Sequence, residues 1–425
     1  MIHTVKGVWA LFLAIGFLML GNGLQGSLLS LRATIEDFGA TVTGLIMSSF
    51  YLGFLVSSVI TPQLISGVGH VRVFAAFASI ASTTILLHSL LPVPEIWFFL
   101  RFVTGFAFAG LYVVAESWLN QTATNEERGK VFAIYMMTVS GGMATGQYLL
   151  PLADPSGHVL FIVVSVLVSI ALVPVSLSRS PAPVILETER MGFLELYRLS
   201  PLGLIACVLS GAGQGAMLSM GAVYGAGIGL PTAQLALFMS LPLFCVLLFQ
   251  LPLGAISDRM DRRYVICAVA GLAAAVAIFA ASDLGGGRPI LFAAFAVYGS
   301  FSMVLYGLSI AHANDAIPSE KMLPASAKLV LAFSIGSVAG PLVVGALMSA
   351  AGPSAFFVFG AAVHFAMALF AAYRMMRRPA IAEEDRGEYV ILAPRATAVA
   401  AAAAIEAAAD AAQEEEAEKE PERSE

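Results

Sequence analysis

The strongest constraint in this 425-residue chain is a succession of twelve apolar segments, at about 7–31, 40–66, 71–91, 94–118, 130–152, 157–177, 201–224, 233–256, 264–282, 289–312, 325–349 and 353–374. A helix that crosses a bilayer needs about 20 mostly apolar residues, and each segment supplies that. In hydrocarbon the backbone must satisfy its own hydrogen bonds, which leaves helices and closed barrels. The short alternating segments of a barrel are absent. Composition agrees, with 59% hydrophobic and 12% charged residues, where soluble domains carry about 25% charged. A soluble fold of this size could not hide so much apolar side chain. The sequence therefore predicts an all-α membrane protein with twelve transmembrane helices and the lipid bilayer as its main partner. Lys6 precedes the first segment as in a signal peptide. That run is too long for a signal core and a second span follows closely, so it reads as an uncleaved first helix.

Charge placement gives orientation. With the N-terminus inside, the inner connectors hold fifteen basic residues, among them Arg72, Arg128, Arg198, Arg259, Arg262, Arg263 and Arg374, and the outer ones only Arg32 and Arg288. Both termini are expected in the cytoplasm, the membrane being a bacterial inner membrane. The net charge of −6 is uneven: residues 379–425 hold 13 acids and 4 bases, a net of −9, so residues 1–378 carry +3. Neither value points to a nucleic-acid partner. The expected organisation is a six-helix bundle over 1–177, a polar cytoplasmic linker over 178–200, a second six-helix bundle over 201–378 and a disordered acidic cytoplasmic tail over 379–425. Cys207, Cys245 and Cys267 are odd in number and form no CxxC pair, so no disulfide framework, metal site or cofactor is expected.

The halves repeat. Gly254 to Arg263, between segments eight and nine, aligns at an offset of 192 with Pro62 to Val71, between segments two and three. At an offset of 194, Gly142 and Gly146 of segment five align with Gly336 and Gly340 of segment eleven. Duplicated bundles of this kind commonly hold a substrate site at their interface near the midplane.

The Gly254–Arg263 connector reads G-x-x-x-D-R-x-x-R-R, and Arg101, Thr104 and Gly105 stand in segment four. These strings resemble the signature loop and the second motif of the major facilitator superfamily. Gly21 to Gly26, Gly69 to Phe74, Glu116 to Asn120 and His312 to Asp315 are similar to the YcaD-like branch of that superfamily. The resemblance covers about residues 7–374. It implies two pseudo-repeated six-helix bundles, transport, a cavity lined by helices one, four, seven and ten, and a latch role for Asp258. The first-half loop departs from the family pattern, with Ser66 where an Asp is usual.

A charge inside a span costs about 2.5–3.5 kcal/mol and usually has a function or a partner. Arg101 is expected to face the cavity as a cation for an anionic substrate or a neighbouring acid. Arg101, Tyr112 and Glu116 fall within a sector of about 60° on segment four. Asn22 and Gln25 in segment one and Gln214 in segment seven lie among glycines and offer amides to a polar solute. Gln147, Tyr298 and Tyr306 complete the candidate cavity. At the inner end, Glu116 is expected to anchor Arg72 or carry a proton. Asp315 is expected to pair with Arg262 and Arg263, the two clusters locking the halves when the inner gate is shut. Asp258 is expected at the N-terminus of a neighbouring helix, with Arg259 and His312 beside this gate.

No GxxxxGK[ST], HExxH or GxSxG string occurs, which argues against an ATP-driven pump and against an enzyme. The expectation is a monomeric secondary transporter of a small organic solute, its small-molecule substrate, working by alternating access and either proton-coupled or facilitative. A receptor or scaffold that has kept a transporter body is the alternative.

Overall fold

The structure is a computed structural model and describes residues 2–177, 191–282, 287–318, 321–377 and 389. The expected tail, apart from Tyr389, and residues 178–190 of the expected linker lie outside the described residues. The first half comprises α1 (Ile2–Ile35), α2 (Gly39–Val68), α3 (His70–Leu90), α4 (Pro94–Thr122), α5 (Asn125–Gln147) and α6 (Val159–Ser176). A short helix, α7 (Phe193–Leu199), precedes the second half. That half comprises α8 (Pro201–Gly227), α9 (Thr232–Arg259), α10 (Arg262–Ala281), α11 (Gly287–Asn314), α12 (Met322–Ala351) and α13 (Ala355–Arg377).

All twelve apolar segments are helical, and eleven of the long helices are apolar enough to cross a membrane. The twelfth is α5. It starts earlier than its apolar segment, in the polar run from Asn125 to Lys130, and ends at Gln147 before a short 3-10 turn at Leu150–Leu152. The polar run from Asn125 to Lys130 and Gly141, Gly142 and Gly146 lower its mean hydropathy, although Phe132, Met136 and Val139 are buried. The turn between α1 and α2 is tight. Between α1 and α2 the chain reverses with Asp37 at φ 58° and Gly39 at φ 73°, left-handed values that Gly and Asp tolerate best.

The outer surface is apolar, as lipid requires. On α6, Ile162, Val166, Ile170 and Val173 project outward at 40–54% exposure. Inside each half, glycines bring backbones together. A Cβ on Gly23 would strike the Met143 carbonyl, and one on Gly146 the Leu20 carbonyl, so α1 lies against α5. In the second half the same construction sets Gly336 against Val208 and Gly340 against Ala212, joining α12 to α8. The repeat at offset 194 is thus a repeat of close helix contacts. Small residues drive association where lipid offers no hydrophobic force.

The halves meet chiefly through α2 with α12, α5 with α9 and α1 with α8. The hydrogen bonds that join them gather at the end holding the α1–α2 and α12–α13 turns. There Thr41 N and Thr41 Oγ1 lie 3.0 and 2.8 Å from Ser349 Oγ. Ser30 Oγ donates to Ser219 O at 2.6 Å, and Ser240 Oγ donates to the Tyr148 hydroxyl at 3.1 Å. Gly44 lies under the Pro341 carbonyl and Gly345. Among the described residues α4 and α11 make no extensive contact. One end of the molecule is therefore closed across the halves by helix packing and hydrogen bonds. The other, which carries most of the basic connectors, is called the basic end below.

Candidate functional site

The polar residues expected along the centre are all buried, but they fall into two kinds. Some are tied within their own half. Gln147 Nε2 donates to Gly23 O at 2.9 Å while its Oε1 accepts from Ser27 Oγ at 2.6 Å, so it bridges α5 and α1. Asn22 Nδ2 donates to the Tyr112 hydroxyl at 3.1 Å, and that hydroxyl donates to Met19 Sδ at 3.1 Å. Gln214 Nε2 donates to Ser302 O at 3.1 Å, joining α8 to α11. Tyr298 turns toward α13, where its ring meets His364 at 5.3 Å and its hydroxyl lies over Gly360.

Others keep unfilled polar capacity. Both amide atoms of Gln25, on a side chain 1% exposed, have no protein partner among the described residues. The next residue, Gly26, would hold a Cβ in open space. An unsatisfied buried amide costs about 1–3 kcal/mol, which a ligand or water repays. The Tyr306 hydroxyl on α11 is likewise buried and unpartnered while its ring packs on Phe333 at 4.3 Å. Arg101 is 3% exposed and sets its guanidinium 4.4 Å from the Phe50 ring centroid on α2. That cation–π contact holds the charge inside the bundle, away from the lipid interface.

Toward the basic end the two halves differ. Glu116 is wholly buried and accepts from the Tyr135 hydroxyl of α5 at 2.7 Å. The expected Arg72 anchor is corrected: Arg72 is exposed on α3 and forms no ion pair with it. A charged side chain so near solvent gains little by burial, whereas Tyr135 presents its hydroxyl from the adjoining helix. At this end His70 Nε2 lies 3.0 Å from Ser117 Oγ, linking α3 to α4.

In the second half Arg262, 1% exposed, is the hub. Its Nε donates to Asp315 Oδ2 at 2.8 Å, its Nη1 to Ser257 Oγ at 3.1 Å, and its Nη2 lies 3.0 Å from Asp258 Oδ1. The Asp315–Arg262 pair is present as expected. Asp258 pairs with Arg262, the first residue of α10, one turn along the chain. Arg263 turns the other way and clasps Asp261, which also caps α10 by accepting from Arg263 N at 3.0 Å. Burial works against the Asp261 carboxylate, yet the hydrogen bonds from Arg263 hold it below the usual carboxylate range. This network joins α9, α10 and α11, so these pairs brace the second half and do not bridge to the first. Arg259 is exposed beside it. His312 lines a cleft of about 330 Å³ with Arg198, Arg263 and Arg374. Among the described residues no cluster of His, Cys, Asp and Glu suits a metal ion.

Four features escaped the sequence reading: Tyr135, His70, Ser257 and the Thr41–Ser349 contact. His70 carried a signal, since adding the offset of 192 gives Arg262. The others are neutral residues brought together by the fold alone.

The comparisons agree with this geometry. The sequence profile of the Major Facilitator Superfamily matches residues 11–244 and again 203–405. MFS-type transporter YE1530 of Yersinia enterocolitica is 26% identical over 343 residues, covering 79% of this chain and 86% of that protein. MFS-type transporter YcaD of Salmonella newport is 24% identical over 326 residues, covering 76% and 84%. Among solved structures, nucleoside transporter NupG superposes with TM-score 0.69 at 15% identity, over 87% of this chain and 98% of that one. A bacterial homolog of the lysosomal transporter Spinster, inward-facing and unoccupied, gives TM-score 0.67 at 14% identity, over 96% and 98%. With a duplicated twelve-helix body, the signature loop in place between α9 and α10 and profile matches over both halves, the chain belongs to the major facilitator superfamily and is a membrane transporter of its YcaD-like branch.

Proposed function

We propose that the protein carries a small polar organic solute across the membrane by alternating access, its two bundles rocking about the centre that holds Gln25, Tyr306 and Arg101. The observation that supports this most is the asymmetry between the ends. Helix packing and hydrogen bonds bind the halves at the Thr41–Ser349 end, while among the described residues α4 and α11 make no extensive contact. The excess of basic residues in the connectors puts the basic end in the cytoplasm with both termini. The arrangement then corresponds to a transporter closed outside and open inside.

Gln25 offers a donor and an acceptor to a neutral polar group, and Arg101 a fixed positive charge near the outer part of the cavity. Together they suit a solute with both hydrogen-bonding groups and some negative character. Glu116, buried against Tyr135, is the carboxyl on which proton coupling would rest.

Uptake into proteoliposomes, run with a panel of labelled nucleosides, peptides, sugars and organic acids, tests the reading. A pH gradient is imposed in half the runs. Wild type is expected to carry at least one panel member. Gln25→Ala is expected to raise the half-saturating concentration about tenfold, the loss of roughly one good hydrogen bond to a buried partner. Arg101→Ala is expected to abolish flux with normal membrane insertion. Acceleration by the gradient in wild type but not in Glu116→Gln would support coupling. A panel with no flux at all would favour a receptor or scaffold.

A further inference from the structure

Beyond α13, the described structure holds one more residue, Tyr389, and it is not at the periphery. Its ring packs against the apolar core near the basic end, and its hydroxyl is buried. Two glycines from two helices make its slot. For Gly254 of α9, the three atoms that an added Cβ would meet all belong to the Tyr389 ring. For Gly307 of α11 the three are again all Tyr389 atoms, the hydroxyl among them. No other group claims those two surfaces so closely. Gln250, Arg262 and Asp258 lie around the ring. Burial pushes the Tyr389 hydroxyl up from its ordinary range, so it stays neutral there.

The position of this slot on α9 matters. Ser240 is the α9 residue that bonds Tyr148 of the first half. Asp258 follows it by 258 − 240 = 18 residues, five turns of helix, and so lies on the same face. Gly254 is only about 40° away from that line. The α9 face that meets the first half at the closed end therefore continues, at the basic end, into the strip that Tyr389 covers.

We infer that the groove between α9 and α11 at the basic end is a docking site for the chain's own C-terminal tail, and that Tyr389 seated there wedges the basic end open. The inference rests on the rocking of the two halves proposed above. Closing the basic end would bring α5 down onto the α9 strip that the ring occupies. Leaving the slot would have to precede closure, so the tail acts as a brake on the return step. The two glycines provide the depth: a side chain at either position would fill the seat.

The test is a pair of distance measurements by electron spin resonance on full-length protein in lipid nanodiscs. Cys207, Cys245 and Cys267 are first replaced by Ala. One label pair, on Lys130→Cys of α5 and Met260→Cys after α9, reads the basic end. The other, on Leu152→Cys and Leu237→Cys, reads the closed end. Wild type should show mainly the long basic-end distance. Tyr389→Ala, and a chain ending at Arg378, should each raise the share of the short basic-end distance about fivefold, with a matching lengthening of the other pair. Tyr389→Phe, which keeps the ring, should behave as wild type. If wild type shows two interconverting populations that Tyr389→Ala leaves unchanged, the wedge is overturned and the rocking stands. If both distances are single-valued and identical in all four proteins, rocking itself fails and the wedge with it.

Discussion

The basic ends of the two halves descend from one repeated pattern, yet they are built of different chemistry. At equivalent places the second half has Asp258 and Arg262 and the first has Ser66 and His70. In the second half Arg262 is buried between Asp258, Asp315 and Ser257, and α9, α10 and α11 are held by charge-assisted bonds. In the first half Ser66 is exposed with its hydroxyl on Gln63 O. There His70 reaches Ser117, and Glu116 reaches Tyr135. Where the second half places an ion pair, the first places two neutral side chains, each hydrogen-bonded to a neutral oxygen. The lesson is that a duplicated fold keeps its helix contacts, such as Gly146–Leu20 and Gly340–Ala212, more faithfully than its charges. Backbone close approach tolerates only glycine or its nearest kin, whereas a connector near water can be braced in several ways.

If that contrast is real, the two ends should respond unequally to truncation. The largest effect is expected for Arg262→Ala, which removes the buried hub that binds Asp315, Ser257 and Asp258 and should cost about 3–5 kcal/mol. His70→Ala, at the equivalent place, should cost only about 1 kcal/mol, the loss of a neutral hydrogen bond. Chemical denaturation in a mild detergent would measure both, and equal losses would erase the distinction. Adding Asp315→Ala to Arg262→Ala should recover part of the deficit, because the buried acid that has lost Arg262 goes with it.

A smaller effect is expected for Asp258→Ala. Its side chain is 34% exposed, and a half-solvated ion pair contributes about 0–1 kcal/mol. A loss as large as that of Arg262→Ala would mean that Asp258, not Asp315, is the main partner. The smallest effect is a pH dependence. Arg263 holds Asp261 below the usual carboxylate range in the folded protein. A depressed folded value adds stability above the unfolded value of about 3.9, and that stability is lost as pH falls through the folded one. Thermal midpoints of wild type and Asp261→Asn should therefore converge only below about pH 4. Parallel curves down to pH 3 would show that the clasp contributes nothing.

Much of the architecture could be read before any coordinates, because hydropathy in lipid acts on every residue of a span. The even helix count, the repeat and the Arg262–Asp315 pair all follow from features that sequence displays: long apolar runs, equal offsets and opposite charges near one membrane face. The centre was read less well. Helical periodicity places Arg101, Tyr112 and Glu116 on one face of α4, and each does contact a neighbouring helix of the first half, α2, α1 and α5 respectively. It does not say which neighbour each residue meets. Tyr298 illustrates the gap: it sits on the expected helix but turns to His364 of α13. Nor does sequence reveal which amide is already satisfied. Gln147 and Gln25 look alike as letters, and only packing shows that one bridges two helices while the other has both amide atoms unpartnered. The Thr41–Ser349 contact joins small neutral residues 308 positions apart, with no pattern to announce it.

The rocking of the halves depends on that contact being able to part. Cysteines in place of Thr41 and Ser349, whose hydroxyl oxygens are 2.8 Å apart, fall within reach of a disulfide. Solute uptake into proteoliposomes by the double-cysteine protein should be lost on oxidation and restored by reductant, while wild type is indifferent to both. Undiminished uptake by the fully cross-linked protein would show that the solute crosses without the closed end ever opening, and alternating access would be wrong.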